Sequence, residues 1–515
     1  ADASCSVDGE CLLARGSACD ADGACATGHC ADGVCCESAC GSCRRCSLPG
    51  TEGSCVALPS GAPDPTEKCG EFRCDGLGHC AAGALRGFSL TGVGPGPDQL
   101  TGAARRTDGG WFVGGAHASP ALGFVGGAYD VMLGAVASAG KFTPGLSFGS
   151  PLEDGVLAVA VDSQDNGYAV GLCNPGVVLT TPQPPPCSGA QRNALLVKVD
   201  ATGKLAWVKS LDDTNEVDST DDLVVGADDG VVVVGSGGAA NIGGSRRGRI
   251  TKVLPDGSLL WNREFGSNAN YLQFRSVARV PSEKGEGDDL VMTGTFRGIA
   301  TFLGATLVSV NGTDDVFVIR FDSTVQNIRW ARVIGGGYPD QVTRLAVGPD
   351  GSIGLVGIFS YSINVDKNLL LIGDAQDSYV VVLDGDTGTM RWAAPVVGTA
   401  DVHALAIGFD AAGNVVLGGT FQPTSGQTTG SLSLFGKDWT TAGQQDGFLA
   451  KLSATGQPLW QHTVGGPGID RILSLRVEGD NVVAAGSTSG GYKLGAVDLT
   501  TADNLEDGAL FVFGP

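Results

Sequence analysis

The sequence predicts an all-β fold: a seven-bladed β-propeller closed by an N-terminal strand, with a small disulfide-rich N-terminal domain ahead of it. Three observations predict it. Gly is abundant at 82 of 515 residues and charged residues are scarce at 17%, a composition suited to short strands and tight turns. A strand–turn–strand pattern ending on glycine recurs seven times, at intervals of about 60 residues. The segment Ala84 to Asp98, ALRGFSLTGVGPGPD, repeats the end of a unit also found at Pro458 to Asp470, PLWQHTVGGPGID.

The head, residues 1–83, holds fourteen of the 16 cysteines, from Cys5 to Cys80. Few large apolar residues accompany them: Leu12, Leu13, Leu48, Leu58, Phe72 and Leu77. Such a segment cannot bury a core, so disulfides are expected to staple it, each contributing about 2–4 kcal/mol. Their pairing is open. Cys43-Arg-Arg-Cys46 has the CxxC spacing of zinc sites, but no second CxxC stands at ribbon spacing, and the density favours disulfides. His29 and His79, each in GHC, are expected to be solvated turn residues rather than metal ligands.

Residues 84–515 form the second domain. The second strand of each repeat ends on Gly114, Gly171, Gly235, Gly294, Gly357, Gly418 or Gly486. A third strand starts beside Asp130, Asn193, Asp315, Asp377, Asp446 or Asp507, and the third repeat departs with Gly248 in that place. Turns such as DATG and SATG lead to a fourth strand carrying Trp207, Trp261, Trp330, Trp392 or Trp460. The Trp residues are expected to pack between blades and give their N–H to a backbone carbonyl. The Asp residues are expected to bond turn amides.

The seventh repeat runs out at Phe513-Gly514-Pro515, before any fourth strand. Phe88 stands ten residues before Asp98, as Trp460 does before Asp470 and Trp330 before Asp340. Residues 84–92 are therefore expected to supply the missing strand and seal the ring, which removes an exposed sheet edge. Closure within one chain is the ordinary outcome; exchange of this strand between chains would build a fibre.

Two resemblances follow from these residues. The run GSACDADGACATGHCADGVCCESACGSCRRCSLPGTEGSC, with its vicinal Cys35-Cys36 and later CxxC, resembles Cys-rich modules of secreted and surface proteins of Gram-negative bacteria. That resemblance implies export to an oxidising space and no catalysis. Units of the form DGNVVLGG…DGFLAKLSATGQPLWQHTVGG, clearest in Asp401–Gly466, resemble the bacterial seven-bladed β-propeller repeat family, and the Trp with DG turns resembles quinoprotein propellers second.

Function is sought where the repeats differ. Cys173 and Cys187, the only cysteines outside the head, are expected to close the PQPPP-stiffened loop between them with a disulfide. Asp212 to Asp222, DDTNEVDSTDD, gathers carboxylates as a calcium site would, yet lacks the order of a helix–loop–helix site, and a solvated acidic loop is expected. Arg246, Arg247 and Arg249 form the one basic cluster, expected to pair with nearby acid. His117, His403 and His462 show no metal-ligand spacing, and no catalytic motif stands in a suitable setting. The adjacent Asp314 and Asp315 fall on opposite strand faces, poorly placed for acid–base work.

A net charge of −22 argues against nucleic acid or anionic membrane surfaces, and no apolar run is long enough to span a bilayer. The start at Ala1 suggests a processed product. The expected function is a non-catalytic binding, adhesion or structural protein outside the cell or on its surface, with a protein or glycan partner, self-assembly as one form, and no cofactor and no metal. The alternative is a secreted propeller enzyme, a lyase, hydrolase or quinone-dependent dehydrogenase working at the central channel. Its sign would be His, Arg, Tyr or carboxylates from several blades converging at one mouth.

Overall fold

A computed structural model of the chain describes residues 3–5, 11–38, 40, 44–58, 62, 85–91, 95–122, 129–138, 140–177, 187, 192–211, 218–238, 246–266, 271–281, 287–366, 369–374, 376–479, 481–489, 493–494, 497–498, 501 and 505–514. The chain is all-β. Among the described residues the helices are three-residue 3₁₀ turns, and no helix is long and apolar enough to cross a membrane. It divides into two compact units, one of Ala1–Phe88, Lys493–Leu499 and Val512–Pro515, the other of Ser89–Tyr492 and Thr500–Phe511.

In the first unit the strands are short: Cys30–Ala31 pairs with Val34–Cys35, and Arg44–Arg45 with Val56–Ala57. Disulfides join Cys19 to Cys30, Cys25 to Cys35, Cys36 to Cys46 and Cys40 to Cys55. Between residues 11 and 58, the described buried apolar side chains are Cys25, Cys35, Cys36, Cys46 and Leu58. Sulfur bridges thus occupy the place of a core, and of the expected leucines only Leu58 joins it. Phe72, Leu77 and His79 lie outside the described residues, as does Cys43. Disulfides in number suggest an oxidising, exported compartment.

The second unit is built from antiparallel runs of four strands, each following chain order. Set one is Asp98–Arg105, Trp111–His117, Asp130–Val136 and Phe142–Phe148. Set two is Gly155–Val161, Gly167–Cys173, Asn193–Val199 and Leu205–Ser210. Set three is Ser219–Val225, Val231–Gly238, Arg246–Val253 and Leu259–Phe265. Set four is Tyr271–Val280, Asp289–Arg297, Asp314–Phe321 and Ile328–Ile334. Set five is Asp340–Val347, Ile353–Phe359, Asp377–Leu383 and Met390–Gly398. Set six is Ala400–Phe409, Val415–Pro423, Asp446–Leu452 and Pro458–Val464. Set seven has Arg471–Glu478, Asn481–Thr488 and Asp507–Phe513, and its fourth place is taken by Leu85–Leu90. The Thr91 N–H donates to Gly508 O at 2.9 Å and the Asp98 N–H to Glu506 O at 2.6 Å, which ties the start of set one to the end of the chain. The expected role of the Phe88 side chain falls outside what is described.

Second and third strands are apolar on both faces because they are covered on both faces. Val232, Val234 and Ile250 of set three pack with Leu272, Phe274 and Met292 of set four, and further apolar clusters join other consecutive sets in the same way. The indoles sit at these joints. Trp207 donates to Pro255 O at 3.2 Å, Trp330 to Gly385 O at 2.8 Å and Trp392 to Ala454 O at 2.8 Å, each acceptor lying in the turn between the third and fourth strands of the next set. Trp460 is buried, and among the described residues its N–H has no acceptor. The reason is topological: set seven takes its fourth strand from the N-terminus, so it has no such turn to offer.

The expectation that each second strand ends on its glycine is corrected: Gly114, Gly171, Gly235, Gly294, Gly357, Gly418 and Gly486 lie inside second strands that run on past them. In sets one and six the close contact with the first strand falls on the next glycine, Gly115 and Gly419. A Cβ at Gly115, Gly171, Gly235, Gly294, Gly357, Gly419 or Gly486 would collide with the carbonyl of a first-strand residue, Gln99, Gly155, Ser219, Gln273, Gln341, His403 or Arg471. At Gly248 a Cβ would meet Leu272 and Phe274, because Arg246 pairs there with Tyr271 and merges sets three and four into one sheet.

Candidate active site

The repeated glycine permits a repeated bulge. In every first strand the pairing register slips by one residue, so that Thr101, Leu157, Asp221, Arg275, Thr343, Leu405 and Leu473 are each the extra residue. A bulge re-aims the side chain that follows it. That following residue is Gly102, Ala158, Asp222, Ser276, Arg344, Ala406 or Ser474. All but Ser276 line one cavity of about 370 Å³, to which the first strands of all the sets contribute.

Most of this lining is small or apolar, including Gly102, Ala158, Ala278, Ala346, Ala406 and Gly408. Against it stand Asp222, Arg279, Arg344, Ser474, Arg476 and Glu478. Asp222 Oδ1 lies 3.1 Å from Arg344, and Oδ2 accepts the Ser276 hydroxyl at 2.6 Å and the Val277 N–H at 3.1 Å. The Ser276 oxygen in turn accepts the Leu345 N–H at 3.2 Å, so this hydroxyl ties the first strands of sets three, four and five. Arg279 is engaged by Asp288 at 2.6 Å and Val225 O at 3.0 Å. Arg476 and Glu478 are solvent-exposed and, among the described residues, make no side-chain hydrogen bond or ion pair. Solvent reaches Arg476, yet protein surrounds it. Burial pulls its guanidinium below the ordinary arginine range; Asp222 opposes this, Arg344 adds to it, and Glu478 opposes it.

A second polar group sits on the same bulges. Asp221 receives Arg275 at 3.0 Å and the Gln273 amide at 3.0 Å. Asp218, fully buried, lies 3.4 Å from Arg249. The expected solvated acidic loop is thus corrected for its described part: Asp218, Asp221 and Asp222 are buried or half-buried and face arginines. Residues 212–217 lie outside the described residues. The basic cluster is likewise committed, with Arg247 at 3.4 Å and Arg249 at 3.0 Å from Glu264, and Arg246 donating to Ser236.

The remaining candidates lie away from the cavity lining. His117 is buried, bonded to Ser147 and Ser119, and burial lowers its pKa to about 4. His403 is lowered by burial and meets Gln376, and His462 stacks on Trp460. Asp314 pairs with Arg297 while Asp315 turns inward onto the Val310 N–H. Cys173 is bonded to Cys187, both buried. Cys19, Cys25 and Cys35, and Cys36, Cys40 and Cys46, are close enough to hold a metal, but all six are spent in disulfides. Sequence reasoning missed Arg344, Arg476 and Glu478. For Arg344 a signal was available, since most other first strands hold Gly, Ala or Ser at the equivalent place (Gly102, Ala158, Ser276, Ala406 and Ser474); Glu478 has no such signal, because its equivalents include Arg106, Asp162 and Asp410.

No family model matches the chain, and no curated protein does. Solved structures of propeller type do. It is similar to a PL25 polysaccharide lyase, an ulvan lyase, at 8% identity and TM-score 0.42 over 84% of this chain and 94% of that one. It is similar to the quinohemoprotein alcohol dehydrogenase of Comamonas testosteroni at 10% and 0.37, over 84% and 76%. It is similar to an α-L-arabinanase of Penicillium chrysogenum at 10% and 0.36, over 68% and 91%. The expectation of a non-catalytic protein is corrected here. These proteins are enzymes, and the cavity holds the convergence of Arg and carboxylates from several sets that was the sign of the alternative.

Proposed function

We propose that the chain is an exported enzyme that cleaves a glycan by acid–base chemistry in the central cavity, by elimination or hydrolysis. One observation carries this reading: Asp222, Arg279, Arg344, Arg476 and Glu478, from sets three, four, five and seven, meet in a cavity otherwise walled mostly by small and apolar residues. The volume suits one or two sugar rings. Glu478, unbonded and open to solvent, is the proton-transfer group. Arg476 presents N–H donors to oxygens that gain charge in the transition state. Asp222 is a positioning residue that fixes Arg344. The disulfides support work outside the cell or on its surface. We read residues 84–515 as the catalytic domain, a diverged relative of the bacterial seven-bladed repeats, and residues 1–83 as a separate stapled domain.

The test is a screen of the purified, oxidised chain against neutral and acidic polysaccharides. Reducing ends report any cleavage, and ultraviolet absorbance of an unsaturated product reports elimination. Glu478→Gln is expected to fold normally and lose turnover by about 10²–10⁴-fold. A variant that keeps full activity removes Glu478 from the chemistry, and folded protein inert on every polymer removes the enzyme reading.

A further inference from the structure

A guanidinium carries five N–H donors and no acceptor, and normally spends them on carboxylates, carbonyls or ligand oxyanions. The three arginines of the cavity differ in how far theirs are spent. Arg279 is held by Asp288 and a carbonyl, and Arg344 is held by Asp222. Arg476 reaches the same space and makes neither a hydrogen bond nor an ion pair among the described residues, although it stands on a strand ringed by other strands. It shares the lining with Arg344, whose charge Asp222 answers as Asp288 answers that of Arg279, so Arg476 is the lining arginine that no carboxylate contacts among the described residues. An anionic group that enters the cavity therefore meets guanidinium N–H donors at Arg476 that no described residue uses.

We infer that the cavity binds an oxyanion group, a carboxylate or sulfate borne by the ligand, at Arg476 with Arg344 beside it. This rests on the catalytic reading for its place in a reaction, and names the substrate class as an acidic rather than a neutral saccharide. Glu478, on the same strand and the same strand face two residues on, keeps a negative charge near the bound group.

The experiment measures binding by calorimetry on the whole oxidised chain, with sodium glucuronate, glucose 6-sulfate, inorganic sulfate and glucose as probes. Glucuronate or the sulfated sugar is expected to bind, and glucose to bind at least tenfold more weakly. Arg476→Met is expected to weaken the acidic sugars at least tenfold and leave glucose unchanged, with Arg476→Lys intermediate. Glu478→Gln is expected to tighten them, because one negative charge is gone. Sulfate alone binding, with neither sugar, overturns the substrate assignment. Equal binding of glucose and glucuronate, or indifference to Arg476→Met in a variant with wild-type melting, overturns the inference outright. Arginine-dependent binding without cleavage of any acidic polymer leaves the anion site standing and sinks only the catalytic reading. Cleavage of neutral polymers alone does the reverse.

Discussion

Asp222 and Arg344 meet at 3.1 Å although they stand on the first strands of sets three and five, with Ser276 of set four between them. Both carboxylate oxygens of Asp222 are used, one on Arg344 and the other on the Ser276 hydroxyl and the Val277 amide. The pair therefore clamps three consecutive sets at the channel wall. Asp222→Asn is expected to lower stability by about 1–3 kcal/mol, the range for losing a hydrogen bond to a charged group. Urea denaturation of Asp222→Asn, Arg344→Met and the double variant measures the coupling. Strict additivity would mean that the two residues do not act together.

Gly235 and its equivalents are required by the bulge. A Cβ on Gly235 would fall 1.9 Å from the Ser219 carbonyl oxygen, two residues before the extra residue Asp221, so a methyl group has no room there. Gly235→Ala is expected to cost about 1–3 kcal/mol or more through overpacking against backbone. Gly436→Ala, at a turn with open space and φ +88, should cost less. Thermal melts compare them directly. Equal losses would mean that only backbone conformation matters at Gly235.

The four-strand repeat was legible because turn chemistry is local, whereas the extra hairpins inside sets four to six, such as Ser431–Leu434 with Lys437–Thr440, were not. The DATG and SATG turns, the recurring glycine and the Trp each mark one strand boundary. The closing strand was legible from the spacing of Phe88 to Asp98. The site was not. A bulge is a property of pairing register between two strands, and no single residue announces it. Arg344 on one strand, and Arg476 and Glu478 on another, look like ordinary polar positions until packing of the sets brings them to one cavity. Gly114-Gly115 and Gly418-Gly419 show the same limit, since only the partner strand decides which glycine meets a carbonyl.

The indole contacts give a matched comparison. Trp330 donates to Gly385 O at 2.8 Å, whereas the buried Trp460 has no acceptor among the described residues. Trp→Phe removes the N–H and part of the ring at both positions. Trp330→Phe is therefore expected to cost about 0.5–1.5 kcal/mol more than Trp460→Phe, the net value of one hydrogen bond. Chemical denaturation of the two variants decides it. A larger loss at Trp460 would show that ring packing, not the hydrogen bond, dominates.

Buried carboxyls at the set boundaries set the pH dependence of stability. Burial and the neighbouring Asp315 push Asp340 up to about 8, and burial pushes Asp315, Asp377 and Asp446 up to about 6. Unfolded, these groups titrate near about 4. A folded value above the unfolded one means that the folded state holds the proton more tightly. Stability is then undiminished below about pH 4 and falls as pH rises through the folded values, first toward about 6 and then toward about 8. Asp350 acts in the opposite sense: its bonds to Ser352 and Arg391 lower it to about 2, so its contribution is lost only as pH falls below about 4. Melting temperature is therefore expected to peak in mild acid and decline toward pH 9. Asp340→Asn, which keeps the shape without the titration, is expected to flatten the decline between about pH 6 and 8 and to melt higher than the parent at pH 9. Parallel curves for parent and variant across that window would remove Asp340 as the source.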